Sequence, residues 1–284
     1  MRVAIFANVL KEGIKSLLPP FMDELKKQGI EAVIEESLNA ILGNGYTYCP
    51  TDTLFNDVNM IISFGGDGTI LHIAKISAGT GIPILGVNLG KVGFLAEISP
   101  EEICLIPEKI KNGDYQILNR MAFSVETNSG EKYFALNDIV IDRSADTRIL
   151  ELSISVDGIH AADFAADGLI VSTPTGSTAH SVSAGGPLVM PECNVIVLTP
   201  ICPHSLAFRP MIIDGSKEIS LTVQKGLARM AVDGQSFVDV SSGCEVIIKR
   251  YTEPVKIVRF KDKTYFDILH TRLNWGVSLK LRNA

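Results

Sequence analysis

The stretch "FGGDGT", residues 64–69, follows the apolar run "MII" directly and leads into "ILHIAKIS". Three glycines, one acid and one hydroxyl stand where a buried strand should be ending. A glycine-rich turn between a strand and a helix exposes backbone N–H groups with no side chain in the way. Those amides, together with a helix N-terminus, favour phosphate. Gly65, Gly66 and Gly68 permit the tight turn and close approach of a ligand, and Thr69 adds a hydroxyl. Asp67 is the odd member. A carboxylate beside bound phosphate is repelled unless it binds a cation or takes the proton of an attacking hydroxyl, and both tasks belong to phosphoryl transfer. The plain alternative is an ordinary strand–helix turn with Asp67 as a helix cap.

Two further stretches carry polar groups in apolar company. In "DGLIVSTPTGSTAHSVSAGGP", residues 167–187, the hydroxyls of Thr173, Thr175, Ser177, Thr178, Ser181 and Ser183 fall within eleven residues. Such density makes poor strand or core material. At a loop-to-helix junction it makes a polar cradle, with a serine-rich surface loop as the alternative. In "LNDIVID", Asn137 and Asp138 sit inside an apolar run and need partners. An amide followed by an acid suits a base edge and a ribose diol, and a turn between strands would also explain the pair. The common nucleotide motifs are missing. No GxGxxG occurs, and "GVNLGKV" has three residues between its glycines where a Walker A sequence has four, with Val92 after the lysine.

The elements that must hold these residues fall into two groups. Over residues 1–118, strand patterns ("RVAIFA", "EAVIEE", "VNMIISF", "IPILGVN") alternate with helix patterns, which predicts a Rossmann-like parallel sheet. Pro19 and Pro20 are expected to restart the first helix. Residues 38–58 read as a long connection, part of it mobile. "SPEEICLIPEKIKNG" carries a capping box, a proline at the first helical position and a glycine stop. From 119 to 262, short alternating segments separated by "NSG", "VDG", "IDGS" and "SSG" predict an all-β domain, a sandwich or barrel, interrupted by one helix at "STAHSVSAGG". The stretch 263–284 reads as a helical tail.

With 284 residues, 46% of them hydrophobic and 20% charged, the chain has ample material for a core. A net charge of −6 argues against nucleic-acid and membrane-surface binding, which rest on basic excess. The apolar start is too short for a signal peptide and no run is long enough to span a membrane, so a cytoplasmic protein is expected. Five scattered cysteines, with no CxxC pair, read as buried reduced thiols rather than a disulfide framework or a metal site.

Taken in order, "GGDGT", "GVNLGKVGFLAEI", "ND", "DGLIVSTPTGSTA.SVSAGGP" and "PHSLAFRP" resemble the bacterial NAD kinases, from about residue 60 to the C-terminus. The "TPTGSTA…SAGGP" stretch is specific to that family, whereas "GGDGT" also occurs in lipid kinases and phosphofructokinases. The resemblance implies an α/β N-terminal domain and a β-sandwich C-terminal domain, with the active site between them and the C-terminal tail returning to the first domain. It implies transfer of the γ-phosphoryl of ATP, or of polyphosphate, to the 2′-hydroxyl of the adenosine ribose of NAD. Mg²⁺ would accompany the ATP, and the enzyme would be a homodimer or homotetramer.

Residue by residue, the resemblance makes Asp67 the group that orients or deprotonates the 2′-hydroxyl. Gly65, Gly66, Gly68 and Thr69 would shape the phosphate cradle. His72, read from its place on the helix after "GGDGT" rather than from the resemblance, either faces the phosphates or is a helix-surface histidine. Phe94 would lie near the adenine, Asn137 and Asp138 would bind the dinucleotide, and Asp167 would meet its nicotinamide end. Thr175, Thr178, Ala179, His180 and Ser183 would line the NAD site. Arg209 and Asp233 match family positions without an assigned role. A lipid or sphingoid kinase sharing "GGDGT", and a non-catalytic dinucleotide sensor, are the competing readings.

Two residues depart from the family pattern. Asp138 stands where glutamate is commoner, one methylene shorter. His180 stands where tyrosine is usual, and a histidine can titrate near neutral pH. Weaker NAD binding is therefore expected below pH ~6.5, where a free histidine becomes charged. A KM for NAD that stays flat between acid and neutral pH would rule this out.

Overall fold

The computed structural model describes residues 1–11, 13–90, 93–143 and 149–276. Lys91 and Val92 of "GVNLGKV" and the end of the tail lie outside the described residues. The chain divides into two compact units, Met1–Leu118 with Lys256–Ala284, and Asn119–Val255.

In the first unit the strands β1 (Arg2–Ala7), β2 (Glu31–Glu35), β3 (Tyr48–Cys49), β4 (Met60–Gly65), β5 (Ile84–Asn88) and β6 (Tyr115–Arg120) belong to one sheet. The helices are α1 (Ile14–Lys27), α2 (Asn39–Leu42), α3 (Thr51–Leu54), α4 (Asp67–Ile76) and α5 (Ile106–Asn112). β4 and β5 are buried along their whole length, as strands of a covered parallel sheet must be. Ile14, Leu18, Phe21 and Leu25, spaced three and four apart, give α1 its buried stripe.

Several expectations are corrected here. α1 runs through Pro19 and Pro20 without restarting. The carbonyls those prolines leave unpaired belong to Lys15 and Ser16, which are exposed and can be met by water. Residues 38–58 are not a bare connection: they carry α2, α3 and the edge strand β3, which pairs parallel with β2. The "SPEEICLIPEKIKNG" helix is two pieces, a 3₁₀ segment Pro100–Leu105 and then α5. Pro107 lacks the N–H that a continuous helix would need.

The second unit holds β7 (Phe123–Thr127), β8 (Lys132–Ala135), β9 (Asp138–Arg143), β10 (Leu150–Val156), β11 (Ile159–Ala166) and β12 (Gly168–Ser172). A 3₁₀ turn at Thr175–Thr178 and the short helix α6 (His180–Ser183) follow. The strands then continue with β13 (Val195–Ile201), β14 (Met211–Asp214), β15 (Ile219–Lys225), β16 (Ala228–Val232), β17 (Ser236–Val240) and β18 (Glu245–Arg250). They form two six-stranded antiparallel sheets, β11-β10-β15-β18-β7-β8 and β14-β13-β12-β9-β16-β17. Phe123, Val125, Leu152 and Leu221 of one sheet share a single core with Ile139, Ile141, Leu169 and Met230 of the other. This is a β-sandwich.

The chain then returns to the first unit with β19 (Val255–Phe260) and α7 (Tyr265–Leu273). The sequence pattern places "VKIVRF" in the β-domain. The structure instead inserts it into the parallel sheet, giving the order β3-β2-β1-β4-β5-β19-β6. Four consecutive buried residues, 257–260, show why: both faces of this strand are covered. Thr264 and Asp267 cap α7 reciprocally, and Asn274 ends it in the left-handed region. Among the described residues no helix is long and apolar enough to cross a membrane. All five cysteines are free, but none is buried; Cys104 lies on the exposed side of the 3₁₀ segment and the others at strand ends or in irregular turns.

Candidate functional site

The helix after the glycine-rich turn starts earlier than its apolar spacing suggests, at Asp67 itself. Gly66 is the N-cap residue and no side chain caps the helix, so the helix-cap alternative for Asp67 is excluded. Gly65, the last residue of β4, is required for packing, because a Cβ there would lie 2.2 Å from Thr69 Oγ1. At Gly66 and Gly68 a Cβ would meet nothing within 4 Å. Bare backbone at the N-terminus of a ten-residue helix therefore faces open space, as a phosphate site needs.

The Asp67 carboxylate is turned to the segment after β5. Its Oδ2 accepts the Phe94 N–H at 2.8 Å, and its Oδ1 accepts those of Leu95 and Ala96, both at 3.0 Å. Gly93 makes this possible, since a Cβ there would sit 1.9 Å from Asp67 Oδ1. Gly93→Ala is accordingly expected to cost about 1–3 kcal/mol of stability as the carboxylate is forced off its amides. An unchanged Tm would contradict that contact. Phe94 itself is half-buried, with the Arg272 guanidinium 6.0 Å from its ring centroid.

Gly68, Thr69 and His72 face a different space, a cavity of ≈ 320 Å³ shared with Phe6, Asn8 and Leu10 at the end of β1. The His72 ring lies 5.8 Å from that of Phe6. The glycine-rich motif thus serves two purposes. Its acid fixes a neighbouring loop, while its backbone and the next helical turn line a cavity.

In the second unit, Asn137, Asp138, Ala179 and His180 are brought together around a cavity of ≈ 300 Å³, with Asp142, Asp233 and Phe237 also on its wall. "KYFALNDIVI" is not one strand: it breaks at Leu136 and Asn137 between β8 and β9, which lie in different sheets. Asp233 holds the break. Its carboxylate accepts the N–H groups of Leu136 (2.8 Å), Asn137 (2.7 Å) and Asp138 (3.1 Å). Asp233 occupies a turn with φ +51°, in the left-handed region that Asp tolerates. The same device therefore occurs in both units, an aspartate closing three successive amides.

Asp138 is 4% exposed. Burial, and then the charge of Asp233, push its carboxyl up to about 7, against the pull of the His180 backbone N–H. Burial also raises Asp142, opposed by Arg229 and His180. Shifted carboxyls in a cavity mark a candidate site.

The hydroxyl-rich stretch behaves differently from expectation. Thr173 Oγ1 donates to Leu136 O at 2.6 Å, Ser177 Oγ donates to Pro174 O at 2.7 Å, and Ser181 and Thr199 share a hydrogen bond at 2.8 Å. These hydroxyls build the turn rather than a cradle. Gly176 lets the turn press onto Asn137, since a Cβ there would lie 2.1 Å from Asn137 O. Thr178 Oγ1 donates to Thr175 O, and Ser183 is exposed. Thr175 Oγ1 is buried with no partner. Asp167 lies outside the cavity wall and pairs with Arg143 at 3.3 Å. Sequence reasoning passed over Gly93 and Asp142 and gave Asp233 no role. "VDGQ" signals a turn but not what its acid would hold.

A parallel α/β unit with an open helix N-terminus, joined to a β-sandwich with a polar cavity, defines a two-domain nucleotide phosphotransferase. Residues 3–115 match the family described as ATP-NAD kinase N-terminal domain, and residues 136–260 match the ATP-NAD kinase C-terminal domain. The chain belongs to the NAD kinase family. It is 36% identical over 281 residues to the NAD kinase of Geotalea daltonii, covering 97% of this chain and 99% of that protein, with equal figures for that of Geobacter sulfurreducens. Yeast NADH kinase complexed with NADH superposes with a TM-score of 0.89 at 26% identity, over 99% of this chain and 89% of that one. An NAD kinase from Archaeoglobus fulgidus in complex with ATP gives 0.75 at 28% identity, over 95% and 97%. The lipid-kinase and sensor readings are not favoured by these likenesses.

Proposed function

We propose that the chain transfers the γ-phosphoryl group of ATP to the 2′-hydroxyl of the adenosine ribose of NAD, giving NADP and ADP. The observation that carries this reading is the Asp67 carboxylate, set in the first turn of α4 beside the bare Gly66 and Gly68. A carboxylate has about four acceptor positions. Three are filled by the Phe94, Leu95 and Ala96 amides, which leaves one on Oδ2 for a hydroxyl. The 2′-oxygen attacks the γ-phosphorus, the bond from phosphorus to the β,γ-bridging oxygen breaks, and ADP leaves. Phosphoryl transfer has a loose transition state, so orienting the hydroxyl in line matters more than strong base catalysis.

Gly65 and Thr69 shape the phosphate end, with His72 on the wall of the neighbouring cavity. Asn137, Asp138, Ala179 and His180 hold part of the dinucleotide. On the family resemblance, Phe94 would lie near the adenine, and Thr175, Thr178 and Ser183 would line the NAD site. Asp167 meets the nicotinamide end, with Arg143 balancing its charge.

Mg²⁺ carried on the donor phosphates would screen their charge. Among the described residues no group of three His, Cys, Asp or Glu side chains is placed to hold a metal, and Mg²⁺ usually rides on substrate phosphates with only one or two carboxylates. A cytoplasmic homodimer or homotetramer completes the reading, on the family resemblance. The test is product formation from NAD with ATP, with polyphosphate and NADH as alternative donor and acceptor, and with diacylglycerol as a control acceptor. NADP from NAD and ATP is the expected result. Phosphorylation of the lipid and not of NAD would refute the proposal.

A further inference from the structure

The loop that Asp67 organises is gripped a second time, from the C-terminal end of the chain. Glu97 directly follows Ala96, the last amide on the Asp67 carboxylate. Its side chain is 5% exposed and lies against Arg259 of β19, itself 4% exposed. Arg259 Nε donates to Oε2 at 2.8 Å and to Oε1 at 3.1 Å, and Nη2 donates to Oε1 as well. Just past the end of β19, Lys263 Nζ donates to the Glu97 carbonyl at 2.8 Å and to Glu102 Oε2 at 2.7 Å. Beneath the loop, β5 lies close, since a Cβ at Gly86 would be 2.9 Å from Ala96 Cα.

A buried ion pair is a poor device for stability, because apolar residues of like volume often replace it at no cost. A forked guanidinium–carboxylate contact does fix both the position and the plane of its partner. Here that partner is covalently next to the amides that aim Asp67.

We propose that Arg259 and Lys263 are positioning residues for phosphoryl transfer: through Glu97 they fix the Phe94–Glu97 loop, whose amides set the orientation of the Asp67 carboxylate. The inference rests on the kinase reading above. It assigns to the returning C-terminal segment a part in the chemistry that neither residue performs by touching substrate.

The test is a cycle between the strut and the acid. In Glu97→Leu/Arg259→Met the pair becomes apolar, and the variant should stay folded with a Tm close to that of the unsubstituted chain. Its kcat should fall between about ten- and a hundredfold, the usual penalty for misplacing a reacting group by an ångström or less. In an Asp67→Asn background the same double substitution should change the residual rate less than about twofold, because its effect runs through the missing carboxylate. A folded double variant with unchanged kcat would overturn the proposal, and so would an undiminished further loss in the Asp67→Asn background.

Should the double variant fail to fold, Lys263→Met asks the same question, since it removes only the bonds to the Glu97 carbonyl and to Glu102. A several-fold loss of kcat that disappears in the Asp67→Asn background supports the proposal, and an unchanged kcat refutes it. No NADP from the unsubstituted chain would refute the kinase reading itself. NADP from that chain together with an unaffected strut variant refutes the positioning role alone.

Discussion

Asp67→Asn should reduce kcat by about 10²–10⁴, the range typical of a lost proton acceptor. The geometry gives two reasons for so large an effect. Asparagine has one carbonyl oxygen where aspartate has two, and three amides already converge on the carboxylate. The NH₂ group must then face at least one N–H donor, and the acceptor position left for a hydroxyl disappears. The loop carrying Phe94 loosens at the same time, so the KM for NAD should rise as kcat falls. Initial rates at saturating ATP, with far-UV circular dichroism to confirm folding, check this. A folded Asp67→Asn protein that keeps near-normal kcat would show that the acid has no part in the reaction.

The second large effect concerns stability. Asp138 titrates at about 7 in the folded protein and at 3.8 when unperturbed. Between those values the folded state holds a proton that the unfolded state has released. Stability therefore falls as pH rises from about 4 to 7, and the loss is complete above the folded value. Roughly three units at about 1.36 kcal/mol each put the cost on the order of 4 kcal/mol at pH 8. Asparagine cannot ionise, is nearly isosteric, and keeps an oxygen for the His180 N–H. Asp138→Asn should therefore raise Tm at pH 8, by about 2–4 °C per kcal/mol relieved in a protein of this size, and much less at pH 5. Equal shifts at both pH values would contradict the buried setting of Asp138 beside the like charge of Asp233.

That setting bears on ligand binding too. Asp138 shares its cavity wall with Asp142, Asp233 and His180. On the proposed reading, a dinucleotide entering there would meet a carboxyl that is about half protonated at neutral pH. The acid departing from the family pattern and the histidine departing from it thus face the same space. The pH dependence of NAD binding around neutrality is where the Asp138 carboxyl should be read.

The parts of the structure legible in the sequence are those governed by local rules. The parallel sheet follows from largely apolar strands that alternate with helix patterns, the α5 stop from Gly113, and the two-domain division from the change of period near residue 119. Asp67, Asn137 and Asp138 stand out because they are polar residues in places that reward apolar ones. What could not be read was pairing at long range. No local signal tells that Asp67 reaches residues 94–96, that Asp233 closes residues 136–138, or that "VKIVRF" leaves the β-domain to join the first sheet. The hydroxyls of residues 173–181 illustrate the same limit: their density is plain in the sequence, but their use in bracing a turn depends on Leu136 and Thr199, which come from elsewhere in the chain.

The most direct test is to incubate the purified chain with NAD, ATP and Mg²⁺ and to quantify NADP and ADP together by chromatography, with Asp67→Asn alongside. One NADP formed for each ADP by the unsubstituted chain, and almost none by the variant, is the predicted result. ADP released without NADP, or equal NADP from both proteins, would contradict the account.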